Sequence, residues 1–274
     1  IMCGIIGILG KHEAAPILVE ALKRLEYRGY DSSGIATVKD DGSIDRRRAV
    51  GKLLELQDKL VFEPLKGKAG IGHTRWATHG EPNEKNAHPH TRGAVSVVHN
   101  GIIENFLTLR EELKCDGYKA ETDTDSETIA ILCSKFIDEG HEPLVAARKT
   151  LSKLTGSFAI AMLFEGHKNL IFAARSGSPL AVGYGKNEMY LGSDALALLP
   201  LTKKVAYLEE GDHAVLTREG AEIYDIKGSS VSRQITYLNQ SINFHDKSGF
   251  NHFMEKEIHE QPIALERAIS SYLS

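Results

Sequence analysis

The sequence predicts an α+β protein in which two β-sheets pack together and helices cover their outer faces. Strand and helix patterns are mixed early in the chain, helical periodicity dominates the middle, and short strands follow one another later. Elements with one apolar face must bury it against another layer, so this order favours a layered architecture. The chain has 274 residues, 42% of them hydrophobic and 26% charged, which suits a soluble domain with a well-buried core.

The first half of the chain begins with an apolar, β-branched stretch that is typical of a buried strand. Ala14–Tyr27 has apolar residues at helical spacing, and Gly29 follows as a plausible helix end. Strands are predicted at Cys3–Leu9, Ile35–Val38, Ile44–Val50, Ala69–Trp76 and Ala94–Asn100, with a further helix at Leu53–Phe62. The polar segment Thr78–Arg92 is predicted to be a loop.

The second half predicts three helices, then a meander of short strands, then a change of composition. The helices are expected at Leu107–Lys114, Ser126–Gly140 and Pro143–Leu154. The strands are expected at Phe158–Phe164, Asn169–Arg175, Leu180–Tyr184, Glu188–Ser193, Val205–Leu208, His213–Thr217 and Ala221–Tyr224. We therefore predict one domain over residues 3–238 and a polar linker over 239–251. Residues 252–274, with two helices divided by Pro262, are interpreted as the opening of another domain.

Composition and charge argue against several classes of function. A net charge of -4 and a pI near 6.3 offer no basic surface for nucleic acid, and the run Arg46–Arg48 is predicted to be a solvated loop. No apolar run approaches the roughly 20 residues that span a bilayer, and Ile1–Gly10 does not resemble a secretory signal. Three cysteines without a CxxC spacing argue against a disulfide framework or a zinc site and favour a reducing cytosol. His88 and His90 lack accompanying acidic or thiol ligands, so no metal site is expected.

Cys3 is the first candidate for chemistry, because only Ile1 and Met2 precede it. Burial statistics favour a small core residue at such a position. If the preceding residues are removed, however, the residue acquires a free α-amine that titrates near ~7.7–8.0 and serves as a base. The thiolate is the effective nucleophile, and a terminal threonine activated by its own amine uses the same arrangement.

Three other segments offer the groups that acyl transfer from a free amino acid requires. Asn100 and Gly101 follow a core strand and offer an amide and a close backbone approach for an oxyanion, although a plain turn also explains them. Arg75 ends another core strand and suits a substrate carboxylate. Thr122–Glu127 offers carboxylates for a substrate ammonium, with helix capping as the stronger alternative.

Taken together, these segments resemble the class II glutamine amidotransferases, which belong to the N-terminal nucleophile hydrolases. The motifs that carry the resemblance are Cys3–Gly7, Leu25–Ser32, His73–Gly80, His99–Asn105 and Thr124–Glu127. Their combination is specific, whereas any one of them alone is not. The resemblance implies a four-layer αββα sandwich. It also implies a glutaminase reaction in which a glutamyl thioester forms on the cysteine, ammonia leaves, and hydrolysis releases glutamate.

The resemblance also implies a role for each matching residue. Cys3 matches the nucleophile, and Asn100 with the backbone amide of Gly101 matches the oxyanion hole. Arg75 matches the ligand of the glutamine carboxylate and Asp125 the ligand of its ammonium. The remaining matches line the pocket, namely Trp76, Thr78 and His79, or support the catalytic end, namely Arg28 and Gly29. Asp123 is a near neighbour of Asp125, but the Asp-x-Glu spacing before Ile129 favours Asp125.

The tail from His252 to Pro262 resembles the segment that leads into a sugar-isomerising domain in one branch of this family. The resemblance thus implies L-glutamine as the substrate and fructose 6-phosphate as the ammonia acceptor in a domain absent here. It implies no metal or organic cofactor, no nucleic-acid or membrane partner, a cytoplasmic location and a homodimeric whole enzyme. Two alternatives stay open: an amide hydrolase acting on acylated compounds, and an inactive sensor or interaction domain.

Overall fold

The computed structural model describes residues 3–77 and 80–238, and in the tail residues 250, 254–255, 258–259, 261–262 and 265. The chain divides into two units, Ile1–Leu238 and Asn239–Ser274. In the second unit the described residues from Met254 to Leu265 are helical, including Pro262, which was expected to divide two helices. The predicted ends of those helices lie outside the described residues. Within the described ranges, no helix is both long and apolar enough to cross a bilayer.

The first unit alternates strands and helices in the order that the sequence predicts. Its strands are β1 (Gly4–Leu9), β2 (Ser32–Val38), β3 (Ile44–Val50), β4 (Ala69–Arg75), β5 (His90–Arg92), β6 (Val95–Ile103), β7 (Gly156–Phe164), β8 (Ile171–Ser176), β9 (Ala181–Tyr184), β10 (Met189–Gly192), β11 (Lys204–Tyr207), β12 (His213–Thr217), β13 (Gly220–Tyr224), β14 (Ser230–Val231) and β15 (Ile235–Tyr237). Its helices are α1 (Ala14–Lys23), α2 (Leu53–Phe62), α3 (Phe106–Cys115), α4 (Asp125–Asp138), α5 (Pro143–Leu151) and α6 (Ala195–Leu198).

Two antiparallel sheets stack face to face. Over the described residues one sheet has eight strands in the order β15-β11-β9-β10-β1-β4-β2-β3, and the other has seven in the order β14-β13-β12-β8-β7-β6-β5. One apolar cluster fills the space between the sheets, a second joins the first sheet to α1 and α2, and a third joins the second sheet to α3, α4 and α5. The predicted four-layer αββα sandwich is confirmed.

The strand β1 is apolar throughout because both of its faces are covered. Ile5 and Leu9 pack between the sheets, whereas Ile6 and Ile8 pack on the side of α1. Side chains of a strand point alternately to its two faces, so burial of both faces removes the polar half of the usual alternation. Burial of both faces also explains the apolar run of β7. Cys3 directly precedes β1, which lies in the interior of the first sheet.

The helix predicted over Ala14–Tyr27 ends at Lys23, and a 3₁₀ turn follows at Glu26–Arg28. Tertiary packing explains the earlier end. A β-carbon added to Gly29 would lie 2.6 Å from the carbonyl carbon of Arg75, so the chain must leave the helix to bring a bare backbone against β4. Gly29 therefore links the end of α1 to the end of β4.

Short strands at sheet edges were not predicted. The segment Thr78–Arg92, predicted as a loop, ends in β5, which pairs with β6. The strands β14 and β15 lie at the other ends of the two sheets and are largely exposed. Edge strands of two or three residues form because a neighbour offers open hydrogen-bonding groups, and they need no apolar periodicity of their own.

The run Arg46–Arg48 was expected as a solvated loop, although it also lies within the strand predicted at Ile44–Val50. The structure places it in β3, where two of its side chains bind backbone carbonyl groups. Nη1 of Arg46 donates to the carbonyl oxygen of Pro89 at 3.2 Å, and Nη1 of Arg48 donates to that of Ala87 at 2.9 Å. Burial, together with the charge of Arg46, lowers the pKa of Arg48 to about 10. These guanidinium groups hold the segment that precedes β5 against the edge of the first sheet.

Candidate active site

Cys3 lies directly before β1, next to the point where the neighbouring strand β4 ends. The pairing of Gly4 with Thr74 places the residues after β4 next to the thiol. The backbone N–H of Trp76 donates to Sγ of Cys3 at 3.2 Å, and Sγ donates to the carbonyl oxygen of Trp76 at 3.5 Å. Cys3 is 7% exposed, so the sulfur is sheltered but reachable from one side.

The environment of Cys3 shifts the pKa of its thiol upward, which favours the neutral form. Burial raises its pKa above the ordinary value and the carboxylate of Asp31 raises it further, whereas the Trp76 N–H and the charge of Arg75 lower it. Within the described part of the chain, the hydrogen bonds of Sγ go to the backbone of Trp76. If the sulfur acts as a nucleophile it needs a base, and the α-amine of Cys3 itself is the candidate that the sequence suggests.

Asn100 brings the second sheet to Cys3. It lies in β6 and is 7% exposed. Its Nδ2 donates to the backbone carbonyl oxygen of Cys3 at 3.0 Å, and its Oδ1 lies 2.9 Å from Nε2 of His73. The amide nitrogen therefore points to the backbone of Cys3, and the amide oxygen points to His73.

Gly101 continues β6 and does not form the plain turn that was weighed as an alternative, since the strand runs to Ile103. Its φ angle is +117°, and an added β-carbon would lie 2.0 Å from the carbonyl oxygen of Ser157. Both the backbone conformation and the close approach exclude any side chain at this position. The Asn-Gly pair thus sets the local path of the backbone next to Cys3.

Arg75 is 4% exposed and lies beside Cys3. Its Nη2 donates to the carbonyl oxygen of Gly80 at 3.2 Å and its Nη1 to that of Glu81 at 3.4 Å. Burial lowers the pKa of the guanidinium, while the charges of Asp31, Cys3 and Asp125 act in the opposite direction. The charges of Asp31 and Asp125 favour this buried cation, and its guanidinium holds the backbone at Gly80 and Glu81.

Asp125 is the first residue of α4 and is 3% exposed. Its Oδ2 accepts the backbone N–H of Ile103 at 2.8 Å, and Nδ1 of His99 lies 4.0 Å from the same oxygen. Thr124 occupies the N-cap position without a side-chain capping bond. The carboxylate of Asp125 therefore joins the start of α4 to β6 and does not cap its own helix.

Asp123 has different partners from Asp125. Its carboxylate accepts from Nδ2 of Asn86 at 3.3 Å, and its backbone N–H donates to Oδ1 of the same side chain at 3.1 Å. Asp123 thus tethers two loops to each other. Of the two carboxylates, the one on Asp125 is the one whose charge acts on Arg75.

The residues predicted to support the catalytic end lie next to the site. Nη2 of Arg28 makes an ion pair with Asp194 at 2.6 Å, and the hydroxyl of Tyr27 also donates to Asp194 at 3.2 Å. Trp76 is 47% exposed, and its ring meets that of Tyr30 edge-on at 5.5 Å between centroids. Thr78 and His79, predicted to line the pocket, lie outside the described residues.

Asp31 was not singled out from the sequence, although it lies within the Leu25–Ser32 motif. Its backbone N–H donates to the carbonyl oxygen of Arg75 at 3.2 Å, and its carboxylate accepts the backbone N–H of Ala77. It thereby fixes the segment that places the Trp76 backbone against Cys3. The motif was a sufficient signal that this stretch belongs to the site, but it did not distinguish the role of this carboxylate.

His88 and His90, considered from the sequence as a metal pair, belong to a buried cluster of histidine rings that contact one another at tilted or edge-on angles. Ring centroids are 4.1 Å apart between His73 and His88 and 4.7 Å apart between His88 and His90. Burial lowers the pKa values of both His88 and His90 well below the ordinary range. Over the described residues, no three His, Cys, Asp or Glu side chains are grouped to hold a metal ion.

Comparison with known proteins identifies similar sequences. A family model described as a glutamine amidotransferase domain matches residues 73–200. A protein of Brucella suis named glutamine--fructose-6-phosphate aminotransferase (isomerizing) is 54% identical over 272 residues, which are 99% of this chain and 45% of that protein. The protein of the same name from Mesorhizobium japonicum is 52% identical, with the same two coverages of 99% and 45%. The chain thus spans less than half the length of these curated relatives.

Solved structures with the same architecture are similar to this chain at lower sequence identity. A glutamine phosphoribosylpyrophosphate amidotransferase from B. subtilis, complexed with ADP and GMP, has a TM-score of 0.71 and 25% identity over 83% of this chain and 50% of its own. A structure described as the allosteric regulatory enzyme of purine biosynthesis has a TM-score of 0.70 and 26% identity, covering 82% of this chain and 49% of its own.

Proposed function

Because this chain belongs to the class II glutamine amidotransferases, we propose that it hydrolyses L-glutamine to glutamate and ammonia through a thioester on Cys3. One observation carries the proposal. A buried thiol, a side-chain amide that donates to the backbone of the same cysteine, and a buried arginine with carboxylates around it lie close together. Such a site suits an acyl-transfer reaction on a small zwitterionic substrate.

We assign the steps to the groups as follows. The α-amine of Cys3, free when the residue begins the chain, takes the proton from the thiol, and the thiolate attacks the side-chain carbonyl carbon of glutamine. The N–H groups of Asn100 and Gly101 stabilise the oxyanion that forms. The carbon–nitrogen bond then breaks, and the amine returns its proton to the leaving ammonia. Water, deprotonated by the same amine, attacks the thioester, which releases glutamate and restores the thiol.

Recognition of the free amino acid is assigned to charged groups on either side of the thiol. We propose that Arg75 binds the substrate carboxylate and Asp125 its ammonium, with Trp76, Thr78 and His79 lining the pocket. Arg28 and Gly29 support this end of the site. Two observations support the assignment: Arg75 and Asp125 are both nearly fully buried, and the charge of Asp125 acts on the guanidinium.

The use of the ammonia is proposed from the relatives. Proteins named glutamine--fructose-6-phosphate aminotransferase match almost the whole of this chain. We propose that a second domain converts fructose 6-phosphate to glucosamine 6-phosphate with the ammonia released here. Residues 239–251 would be the linker and 252–274 the opening of that domain. The whole enzyme is proposed to be a cytoplasmic homodimer that requires no nucleic acid and no membrane.

The proposal is tested by measuring turnover in two forms of the chain, one beginning at Cys3 and one retaining Ile1 and Met2. We expect the first form to release equimolar glutamate and ammonia from L-glutamine and to ignore acylated amides that lack the amino-acid head group. The second form should be far slower, because its Cys3 nitrogen is an amide and cannot accept a proton. Preference for acylated amides would indicate the general amide hydrolase, and absence of any glutamate burst would indicate the inactive sensor domain. Equal rates of the two forms would exclude the α-amine as the base.

Substitutions at the charged groups should separate binding from chemistry. Arg75→Lys keeps the charge but loses the two-pronged geometry that a carboxylate matches. Loss of a hydrogen bond to a charged group costs about 1.5–3 kcal/mol, so glutamine and glutamate should bind roughly 10- to 100-fold more weakly. Asp125→Asn should weaken binding to a similar extent, and Kd for glutamate from titration calorimetry measures both.

Asp123→Asn is the matched control for Asp125→Asn, since it makes the same chemical change two residues away. Asparagine keeps an oxygen that accepts from Asn86, so the loop tether survives and glutamate affinity should stay nearly normal. Equal weakening by the two substitutions would show that the ammonium ligand has been assigned to the wrong carboxylate.

A further inference from the structure

Both the nitrogen and the oxygen of the Asn100 side-chain amide form hydrogen bonds, and the partner of the nitrogen is a carbonyl oxygen, which can only accept. Nδ2 lies 3.0 Å from the backbone carbonyl oxygen of Cys3. Oδ1 lies 2.9 Å from Nε2 of His73. An amide turned by 180° would place Oδ1 against the Cys3 carbonyl oxygen, where neither atom carries a proton. The Cys3 carbonyl oxygen thus favours the observed orientation, and a hydrogen on Nε2 of His73 would favour it further.

A backbone group determines the tautomer of His73. Its Nε2 lies 3.1 Å from the carbonyl oxygen of His99 as well as facing Asn100. A carbonyl oxygen accepts hydrogen bonds and cannot donate them, so the proton of the neutral ring belongs on Nε2. Nδ1 of His73 has no hydrogen-bond partner among the described residues, in keeping with an unprotonated nitrogen there. The His99 carbonyl oxygen thus favours the tautomer of His73 that can donate to the Asn100 amide oxygen.

The ring of His73 stays neutral and in place. It is fully buried and packs against the ring of His88 at 4.1 Å between centroids. Burial lowers the pKa of His73 to about 3, against the hydrogen bond to Asn100, which acts in the opposite direction. A neutral imidazole with a fixed tautomer presents the same donor across the working pH range, and it is too weak a base to deprotonate the Cys3 thiol.

We propose that His73 is a positioning residue of the oxyanion hole, which holds the Asn100 amide with its nitrogen toward the nucleophile. The proposal rests on the proposed function, because it takes Asn100 to stabilise the oxyanion of glutamine hydrolysis. Without the Nε2–H, the oxygen of Asn100 loses this donor, and the Cys3 carbonyl oxygen alone holds the amide, so we expect it to turn its lone pairs toward the developing negative charge more often. A preorganised donor then becomes a group that must reorient during the reaction.

Steady-state kinetics of His73 variants test the proposal. His73→Leu removes the donor, and kcat for glutamine hydrolysis should fall, but by less than the about 10²- to 10³-fold expected for loss of an oxyanion donor itself. KM and glutamate affinity should change little. In the background of Asn100→Ala the same substitution should cost nothing further, because the group that it orients is gone. His73→Gln, which offers an N–H from a side chain of similar reach, should recover part of the rate.

His88→Phe is the matched control. It alters the adjoining buried ring, which contacts His73 at a tilt of 57° but has no hydrogen bond to Asn100, so kcat should stay close to that of the unmodified chain. Additive losses for His73→Leu and Asn100→Ala, or an unchanged kcat in His73→Leu, would overturn the positioning role. Loss of the acid limb of the pH–kcat profile in His73→Gln would also overturn it, because that result would make His73 a general base.

A spectroscopic measurement tests the tautomer without turnover. Long-range ¹H–¹⁵N correlation spectra of the histidine rings should show His73 neutral and protonated on Nε2 between about pH 5 and pH 9, where an ordinary histidine titrates. A ring protonated on Nδ1, or one that titrates in this range, would contradict the proposal. Because this spectrum needs no substrate, failure of the proposed glutaminase activity and failure of the positioning role give different results.

Discussion

Cys3→Ala is expected to abolish glutamine hydrolysis while the fold and glutamate binding survive. The substitution removes the atom that we propose to accept the acyl group. Among the described residues, the hydrogen bonds of Sγ are those with the Trp76 backbone, so we expect its removal to lower the stability of the fold only slightly. Glutamate release in a coupled assay, with thermal unfolding as the fold check, measures both parts of the expectation.

The other two cysteines provide the controls for this experiment. Cys133 is fully buried, which raises the pKa of its thiol to about 12, and Cys115 is exposed. Cys133→Ala and Cys115→Ala should retain glutaminase activity. An electrophilic analogue of glutamine should label Cys3 alone, since the pocket delivers it there, and mass spectrometry of the digested chain identifies the site. Activity in Cys3→Ala, or labelling of Cys115 in its place, would contradict the assignment of the nucleophile.

Asn100→Ala is expected to lower kcat by about 10² to 10³, or about 2.7–4 kcal/mol of transition-state stabilisation, as for other single oxyanion donors. The reason is that the amide nitrogen is held toward Cys3 before the substrate arrives, and the charge it would meet exists only in the transition state. KM and the affinity for glutamate should therefore change much less than kcat. Steady-state kinetics and titration calorimetry separate the two quantities.

Asn105→Ala makes the same change five residues further on and serves as the control. Nδ2 of Asn105 donates to the carbonyl oxygen of Lys153 in an exposed position away from Cys3, so its loss should leave kcat nearly unchanged. If Asn100→Ala loses glutamate affinity and keeps its rate, Asn100 belongs to substrate binding and the oxyanion must be stabilised elsewhere.

The sequence was a good guide to the core of the fold and a poor one to its edges. β1 and β7 are apolar at successive positions because both faces are buried, and this pattern is visible in the residues themselves. β5, β14 and β15 are short strands at sheet ends, and hydrogen bonds to a neighbouring strand decide them. The end of α1 likewise depends on contact between Gly29 and Arg75, which lie far apart along the chain.

The candidate site divides in the same way. Residue type and local motif were enough to propose Cys3, Arg75, Asn100 and Asp125 for the chemistry, because nucleophile, cation, amide and carboxylate are properties of single side chains. Only the tertiary structure decided how these groups are oriented. His73 bonds Asn100 across 27 positions and Asp31 bonds Ala77 across 46, and each pair joins separate elements. Contacts of that kind leave no periodic or local pattern, since they arise only when the two sheets and the loops at their ends are packed together.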